Sequence, residues 1–296
     1  KAIGKKKADL MAKVKKKFIT GAKKVGTVNK EEAEEIFGWI QASARYAFNK
    51  SHSISYAVCS YWSAYQKSHN TEEFFLSYLY YANEKQDPHR EVYELLSEAK
   101  LFDIEARTPS LANFDVKFNV KKHKIYFGIK DIKSLTGKTG DKVVESIKEV
   151  ESEFKKPVTK FTWVEILLFF APKISSTAFK ALASIGFFRD FDGRISRNKA
   201  IYDYEIYRTL TKAEQTWIQK KYEDKKWTDF VECLKSLAPT KKEGGGTSKI
   251  ARKQIVENEI QLLLDPPFSL EDDPGWIIDQ EARFLGCPVT MTKIDT

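Results

Sequence analysis

Cysteine is scarce in this 296-residue chain: Cys59, Cys233 and Cys287 are odd in number, far apart and without a CxxC pair. That spacing argues against a disulfide scaffold or a cysteine-built zinc cluster and favours a reducing compartment. Histidine is almost as rare, and His52, His69, His89 and His123 lack the spacing of a metal site. Long apolar runs are missing too. The most apolar stretch, FTWVEILLFFAP at 161–172, is interrupted by Glu165 and too short to span a bilayer. No signal peptide is visible, and the chain opens on Lys1 in a basic segment. It therefore reads as a fragment, a processed product or one half of a split protein. Acidic side chains are outnumbered, 41 against 50 basic ones, and the net charge of +9 favours a polyanionic partner. Nucleic acid, nucleotide phosphates and an acidic membrane surface all qualify, with ordinary solubilising charge as the alternative. Hydrophobic residues at 42% and aromatics at 13% exclude a mainly disordered chain, and the length suits more than one domain.

What is present is mostly helical spacing. Leu10, Val14, Phe18 and Ala22 mark one face of a basic helix over 1–25, ended by Gly26. Asn29 and Glu32 form a capping-box signature for a second helix, with Ala33, Ile36, Phe37, Ile40 and Ala44 on one face. Helical spacing resumes over 53–69, where Tyr56, Tyr61, Trp62 and Tyr65 read as core rather than a base-stacking platform. Asn70 with Glu73 caps the next helix, and another follows near 88–101. FDVKFNV then alternates strictly, and KIYFGI completes a short hairpin through KKHK. Helices are expected at 139–153, 161–170, 176–186, 197–209, 211–237 and 250–264. TKKEGGGTSK at 240–249 reads as a flexible linker, and 276–296 carries weak signals.

Three stretches bear on chemistry. In YAFNKSHSISYAVCSYWSAYQKSH, Asn49, Lys50, Ser51 and His52 stand where one helix stops and another starts. First-turn N–H groups and a positive dipole end would join these side-chain donors, a combination suited to a phosphate or a polar nucleotide edge. The alternative is a helix break capped by Ser51 or Ser53. SLTGKTGDK at 134–142 is not a P-loop, because the required glycine at 132 is Ile132. It reads instead as a hairpin between helices, where Gly137 and Gly140 let backbone approach a DNA phosphate beside Lys138 and Thr139, or as a merely structural turn. PKISSTAFKAL, at 172–182, lacks glycine and reads as a second hairpin with a packing role. In QLLLDPPF, Gln261, Leu262 and Leu264 stand in a QLxL arrangement that resembles a bacterial sliding-clamp-binding peptide; the alternative is that the leucines are buried in the chain's own core.

Several of these stretches resemble a known family. YAFNKSHSISYAVCSYWSAYQKSH is similar to the YGFNKSHAxxYAxxSYxxAYLKxH segment of the bacterial C-family replicative polymerases, the DNA polymerase III alpha subunits. KAIGKKKADLMAKVKKKFITGA resembles that family's RKAMGKKxxEEMxxxxxxFxxGA, and YFGIKDIKSL, ALASIGFFRDF and DQEARFLGCPV resemble later blocks in the same order. The resemblance covers nearly the whole chain. It implies a mainly α fold: helical fingers over 1–110, a small β-hairpin over 111–127, and a tandem helix-hairpin-helix region over 128–195. A helical extension over 196–239 would follow, then a linker, the clamp peptide and the start of another domain over 240–296.

By the same resemblance Lys1, Lys5, Lys6 and Lys7 lie near the incoming triphosphate or the primer-template backbone. Tyr46, Asn49, Lys50, Ser51 and His52 would line the dNTP pocket, and Lys15, Lys16 and Lys17 would meet DNA backbone. Two departures stand out: Ala47 replaces the usual glycine, and the arginine that usually precedes Lys1 is absent. The family's metal-binding carboxylates precede this segment. The resemblance therefore implies Mg²⁺ held by a palm outside the chain, no catalytic residue within it, and no polymerase activity by the chain alone. Expected partners are primer-template DNA, dNTP, the palm-bearing portion and a sliding clamp, in the cytoplasm of a bacterial cell; the departures suit a phage enzyme. The rival reading is a non-enzymatic duplex-DNA-binding or clamp-tethering module.

Overall fold

The structure, a computed structural model, describes residues 8–44, 50–189, 195–237 and 253–290. It is mainly α with one small sheet, and it divides into a unit over Lys1–Asn70 and a unit over Thr71–Thr296.

In the first unit, α1 (Ala8–Val25) and α2 (Lys30–Ala44) form an antiparallel-type hairpin whose turn chemistry is legible in the residues. Gly26 adopts φ +72°, a conformation glycine enters without steric cost, and its N–H closes on the Ala22 carbonyl at 3.0 Å. The capping box forms as expected: Asn29 N–H donates to Glu32 and Glu32 N–H to Asn29 Oδ1, each at 2.8 Å. Ala33 and Phe37 are buried beneath α1, with the Phe18 and Phe37 rings 5.7 Å apart. α3 (Lys50–His69) differs from the expectation for it. None of its residues is buried, and Ile54, Tyr56, Val58, Tyr61, Trp62 and Tyr65 are all exposed. Its aromatics therefore do not form this chain's core. Spacing indicated an apolar stripe but could not say what covers it.

The second unit holds the main core. α4 (Thr71–Tyr80) and α5 (Pro88–Ala99) come first; Asp87 caps α5 by accepting from Arg90 N–H at 3.2 Å, with Pro88 at the first helical position. The sheet has three strands rather than two. β2 (Asn119–Lys121) and β3 (Lys124–Tyr126) pair antiparallel around Lys122 and His123, both at positive φ, as a two-residue hairpin turn requires. β1 (Glu105–Arg107) adds parallel to β3, setting Ala106 beside Ile125. The alternating run before β2 is mostly irregular, because Gly128 draws the chain onto the backbone of Lys117. A Cβ at Gly128 would sit 2.3 Å from Lys117 atoms.

Beyond the sheet lie α6 (Lys138–Phe154) and the short α7 (Trp163–Glu165), which widens into a π turn over Ile166–Phe170. α8 (Ser176–Ser184) and α9 (Arg197–Thr209) complete this layer. Phe179 stacks on Tyr204 at 4.0 Å and on Phe188 at 5.0 Å, the aromatic centre of this core. The expected 211–237 helix is two, α10 (Lys212–Lys225) and α11 (Phe230–Lys235). Lys226 turns left-handed and Asp229 caps the restart. α12 (Lys253–Leu264) and α13 (Pro274–Leu285) end the described chain, and Val256, Phe284, Leu285 and Cys287 join the core. α13 is a clear helix where the sequence signals read as weak. Residues 240–249 lie outside the described residues.

Candidate nucleotide and nucleic-acid interface

The first unit brings part of the expected nucleotide site to one helix start. Lys50, Ser51 and His52 form the first turn of α3 and all three are exposed. Ser55 Oγ donates to the Ser51 carbonyl at 2.9 Å, and the His52 ring meets Tyr56 edge-on at 4.4 Å. This turn sets a cationic side chain and an imidazole at the positive end of a 20-residue helix. Chemically it can receive an anion. Lys1, Lys5, Lys6, Lys7, Tyr46 and Asn49 lie outside the described residues.

Geometry separates the three consecutive lysines of α1. At about 100° per residue, Lys16 and Lys17 share an arc of about 120° with Lys13, Thr20, Lys23 and Lys24. Lys15 projects from the other side, beside the apolar face. Lys15, Lys16 and Lys17 are exposed and make no ion pair among the described residues. A backbone-tracking surface would therefore use Lys16 and Lys17 with Lys13, Lys23 and Lys24; the lysine triplet in the sequence obscured this longer stripe.

In the second unit, the 137–140 stretch opens α6. Gly137 adopts φ +61° with open space around its missing Cβ, and no side chain caps the helix. Lys138 and Thr139 are exposed. Gly140 has a different job: it is buried, and a Cβ there would lie 2.3 Å from the Leu135 carbonyl oxygen and 2.8 Å from Lys130 Cγ. The two glycines are not equivalent. Gly137 shapes an exposed turn, while Gly140 lets the helix pack under it. Asp141 follows in the first turn and pairs with Lys130 at 2.5 Å, so one carboxylate already sits near the dipole end. The second hairpin is capped from within, Ser175 Oγ accepting from Ala178 N–H at 3.2 Å.

Gln261, Leu262 and Leu264 are exposed on the last turn of α12, with Leu264 at 59%. Ile260 and Leu263 are the residues that pack inward. The reading in which Leu262 and Leu264 fill this chain's own core is therefore corrected. Tyr202 Oη donates to the Leu262 carbonyl at 3.0 Å, and the Phe268 ring meets Tyr202 edge-on at 5.6 Å.

Among the described residues no group of three or more His, Cys, Asp or Glu side chains could hold a metal ion. They do not fit a divalent-ion centre. No described helix is long and apolar enough to cross a membrane.

Comparison with known proteins points to DNA polymerases, and among them to one subunit. Over 156 residues, 52% of its length, the chain is 42% identical to DNA polymerase III subunit alpha of Aquifex aeolicus. It is 35% identical over 135 residues to the Thermus aquaticus protein of that name, and 34% identical over 150 residues to that of Ureaplasma parvum. The chain is thus a relative of the bacterial DNA polymerase III alpha subunits, as its motifs indicated, but across about half its length rather than nearly all of it. It spans only a small part of those proteins: 13%, 11% and 15% of their respective lengths. No family model matches the chain.

Proposed function

We propose that this chain is the fingers and DNA-binding portion of a replicative DNA polymerase. The single observation that carries the reading is the similarity to alpha subunits at 34–42% identity, which accompanies an exposed Lys50-Ser51-His52 turn at a helix start. Lys50 and His52, with Asn49 and Lys5–Lys7, grip the incoming triphosphate when the fingers close. The α1 stripe and the Gly137 turn meet primer-template backbone without reading bases, as helix-hairpin-helix elements do. Phosphoryl transfer relies mainly on positioning and on stabilising developing negative charge, which a donor-rich helix start supplies. Divalent ions, and the carboxylates that hold them, belong to a palm-bearing portion outside this chain, so the chain alone does not polymerise. The exposed apolar stripe of α3 supports a protein partner: Ile54, Val58, Tyr61, Trp62 and Tyr65 share one face of an unburied helix, a surface made to be covered. The bacterial cytoplasm is the setting.

The test is Lys50→Ala with His52→Ala in the polymerase reassembled with its palm. The apparent KM for all four dNTPs rises and kcat falls. Unchanged constants would remove the pocket assignment.

The exposed Gln261, Leu262 and Leu264 favour a second reading, a clamp-tethering or duplex-DNA-binding module without a role for the 49–52 turn. Salt-dependent DNA binding fits both readings. Restored nucleotide incorporation on adding a palm-bearing chain fits only the first.

A further inference from the structure

Residues 253–290 follow the glycine-bearing 240–249 stretch in sequence and dock on the rest of the second unit through specific contacts. Val256, Phe284, Leu285 and Cys287 enter the common core. At the start of α9, Ser196 Oγ donates to the Leu270 carbonyl, and Asn198 donates through N–H to Asp272 at 3.2 Å and through Nδ2 to the Glu271 carbonyl at 2.9 Å. Arg197 Nη2 reaches the fully buried Glu281 at 2.8 Å, and Glu281 also accepts from Thr290 Oγ1 at 2.7 Å.

One further contact of this segment falls on a strained turn. Leu135 N–H closes on the Ile132 carbonyl at 3.0 Å, and the side chains of both residues are fully buried. At the third position of that turn the exposed Ser134 has φ +79°. This is the type II arrangement, in which the third residue is left-handed and glycine is favoured. The type I form keeps the same closing bond and places its third residue at negative φ, where a serine is unstrained. The turn's own residues therefore favour the form it does not adopt, and such strain persists only where the surroundings hold it. Lys133 N–H, beside the peptide whose flip separates the two forms, donates to the Phe284 carbonyl at 2.8 Å, in the last turn of α13.

We propose that the docked 253–290 segment is a strap that holds the 132–135 turn in its left-handed form, and that the turn relaxes when the strap opens. Gly137, whose exposed turn begins α6, lies two residues past the closing bond, so the strap sets the backbone of that surface as well. The coupling does not depend on what the Gly137 turn binds and does not rest on the polymerase reading.

The test is hydrogen exchange of the full chain, read at three amides. Val289 N–H, bonded to Glu281 at 2.7 Å, reports opening of the strap, and Lys133 N–H reports the anchor of the turn. Phe179 N–H, bonded to the Ser175 carbonyl at 2.9 Å within the aromatic core, reports global opening. In the parent, Val289 and Lys133 are both less protected than Phe179, as expected for a unit that opens below the global free energy. Ser134→Gly removes the strain that opening would release and raises Val289 protection by about five- to thirtyfold. Ser134→Ala keeps a Cβ at the left-handed position and leaves protection near that of the parent. Thr290→Val, at an exposed position, removes one donor to Glu281 and lowers the protection of Val289 and Lys133 by a common factor. The proposal is overturned if Val289 or Lys133 is as protected as Phe179 in the parent, or if Ser134→Gly leaves Val289 unchanged. An equal gain from Ser134→Ala, or a Lys133 amide that does not follow Val289 in the Thr290 variant, would overturn it too.

Discussion

Replacing Glu281 by Ala should be among the most damaging single changes in the second unit, and the structure permits an estimate. Glu281 is fully buried on α13 and accepts from four donors: Arg197 Nη2 at 2.8 Å, Val289 N–H at 2.7 Å, Thr290 N–H at 2.6 Å and Thr290 Oγ1 at 2.7 Å. Arg197, 8% exposed, would keep its bond to the Ser184 carbonyl but lose its counter-charge. Two partly buried amides would lose their acceptor as well. Removing one partner of a buried ion pair costs about 3–5 kcal/mol, and a domain of this size loses about 2–4 °C of Tm per kcal/mol. A fall of about 6–20 °C is therefore expected in a thermal melt followed by circular dichroism. Exchange protection of the Val289 and Thr290 amides should drop in the same variant. Arg197→Met with Glu281→Leu should recover much of the loss, because the cost lies in the stranded charge. A Glu281→Ala melt within about 2 °C of the parent, or a double variant as unstable as the summed singles, would refute the reasoning.

Other outcomes follow from the same packing. Asp203 accepts from Trp163 Nε1 and Lys199 Nζ, each at 2.8 Å, yet burial raises its carboxyl above the usual range in spite of Lys199. Its favourable contribution is therefore full below the unfolded carboxylate value and is lost as pH rises through the folded one. Urea melts of the parent and Asp203→Asn should show the parent's relative stability falling over that window; a rise would contradict the burial argument. Gly140→Ala should cost about 1–3 kcal/mol because its methyl meets the Leu135 carbonyl, and Gly137→Ala about 1–3 kcal/mol because φ +61° with ψ −134° is backbone nearly confined to glycine. A denaturation curve matching the parent for either variant would contradict the reading of that glycine. Among the cysteines, Cys59 is exposed, while burial pushes the Cys233 thiol to about 12 and that of Cys287 to about 11. A thiol reagent should label one cysteine fast in the native chain and three after unfolding; three fast labels would contradict the buried placements.

Local signals were legible where a few neighbouring residues decide the outcome. Gly26 stops α1 and Asn29 pairs with Glu32 because each needs only its own turn. Asp273-Pro274 is the same kind of signal: Asp273 caps α13 through Trp276 N–H at 2.8 Å, and reading that cap would have found the helix. The break at Lys226 was also written locally, in Asp229 as a restart cap. Pairing of β1 with β3 was not, because three residues gain their partner across an intervening segment. The candidate sites show the same division. Spacing gave an apolar stripe on α3 but could not distinguish a core from an interface. QLLL gave a motif, but the inward turn of Ile260 and Leu263 depends on α12's packing.

The π turn at Ile166–Phe170 buries four of its five residues, Ile166, Leu167, Leu168 and Phe170. An extra residue in a regular helix would swing everything beyond it by about 100°. Widening one turn instead absorbs that residue on the spot, so the segments before and after it keep their facing sides. Homologous chains one residue shorter in this region should thus align with their gap inside the helix, with the neighbouring loops unchanged in length.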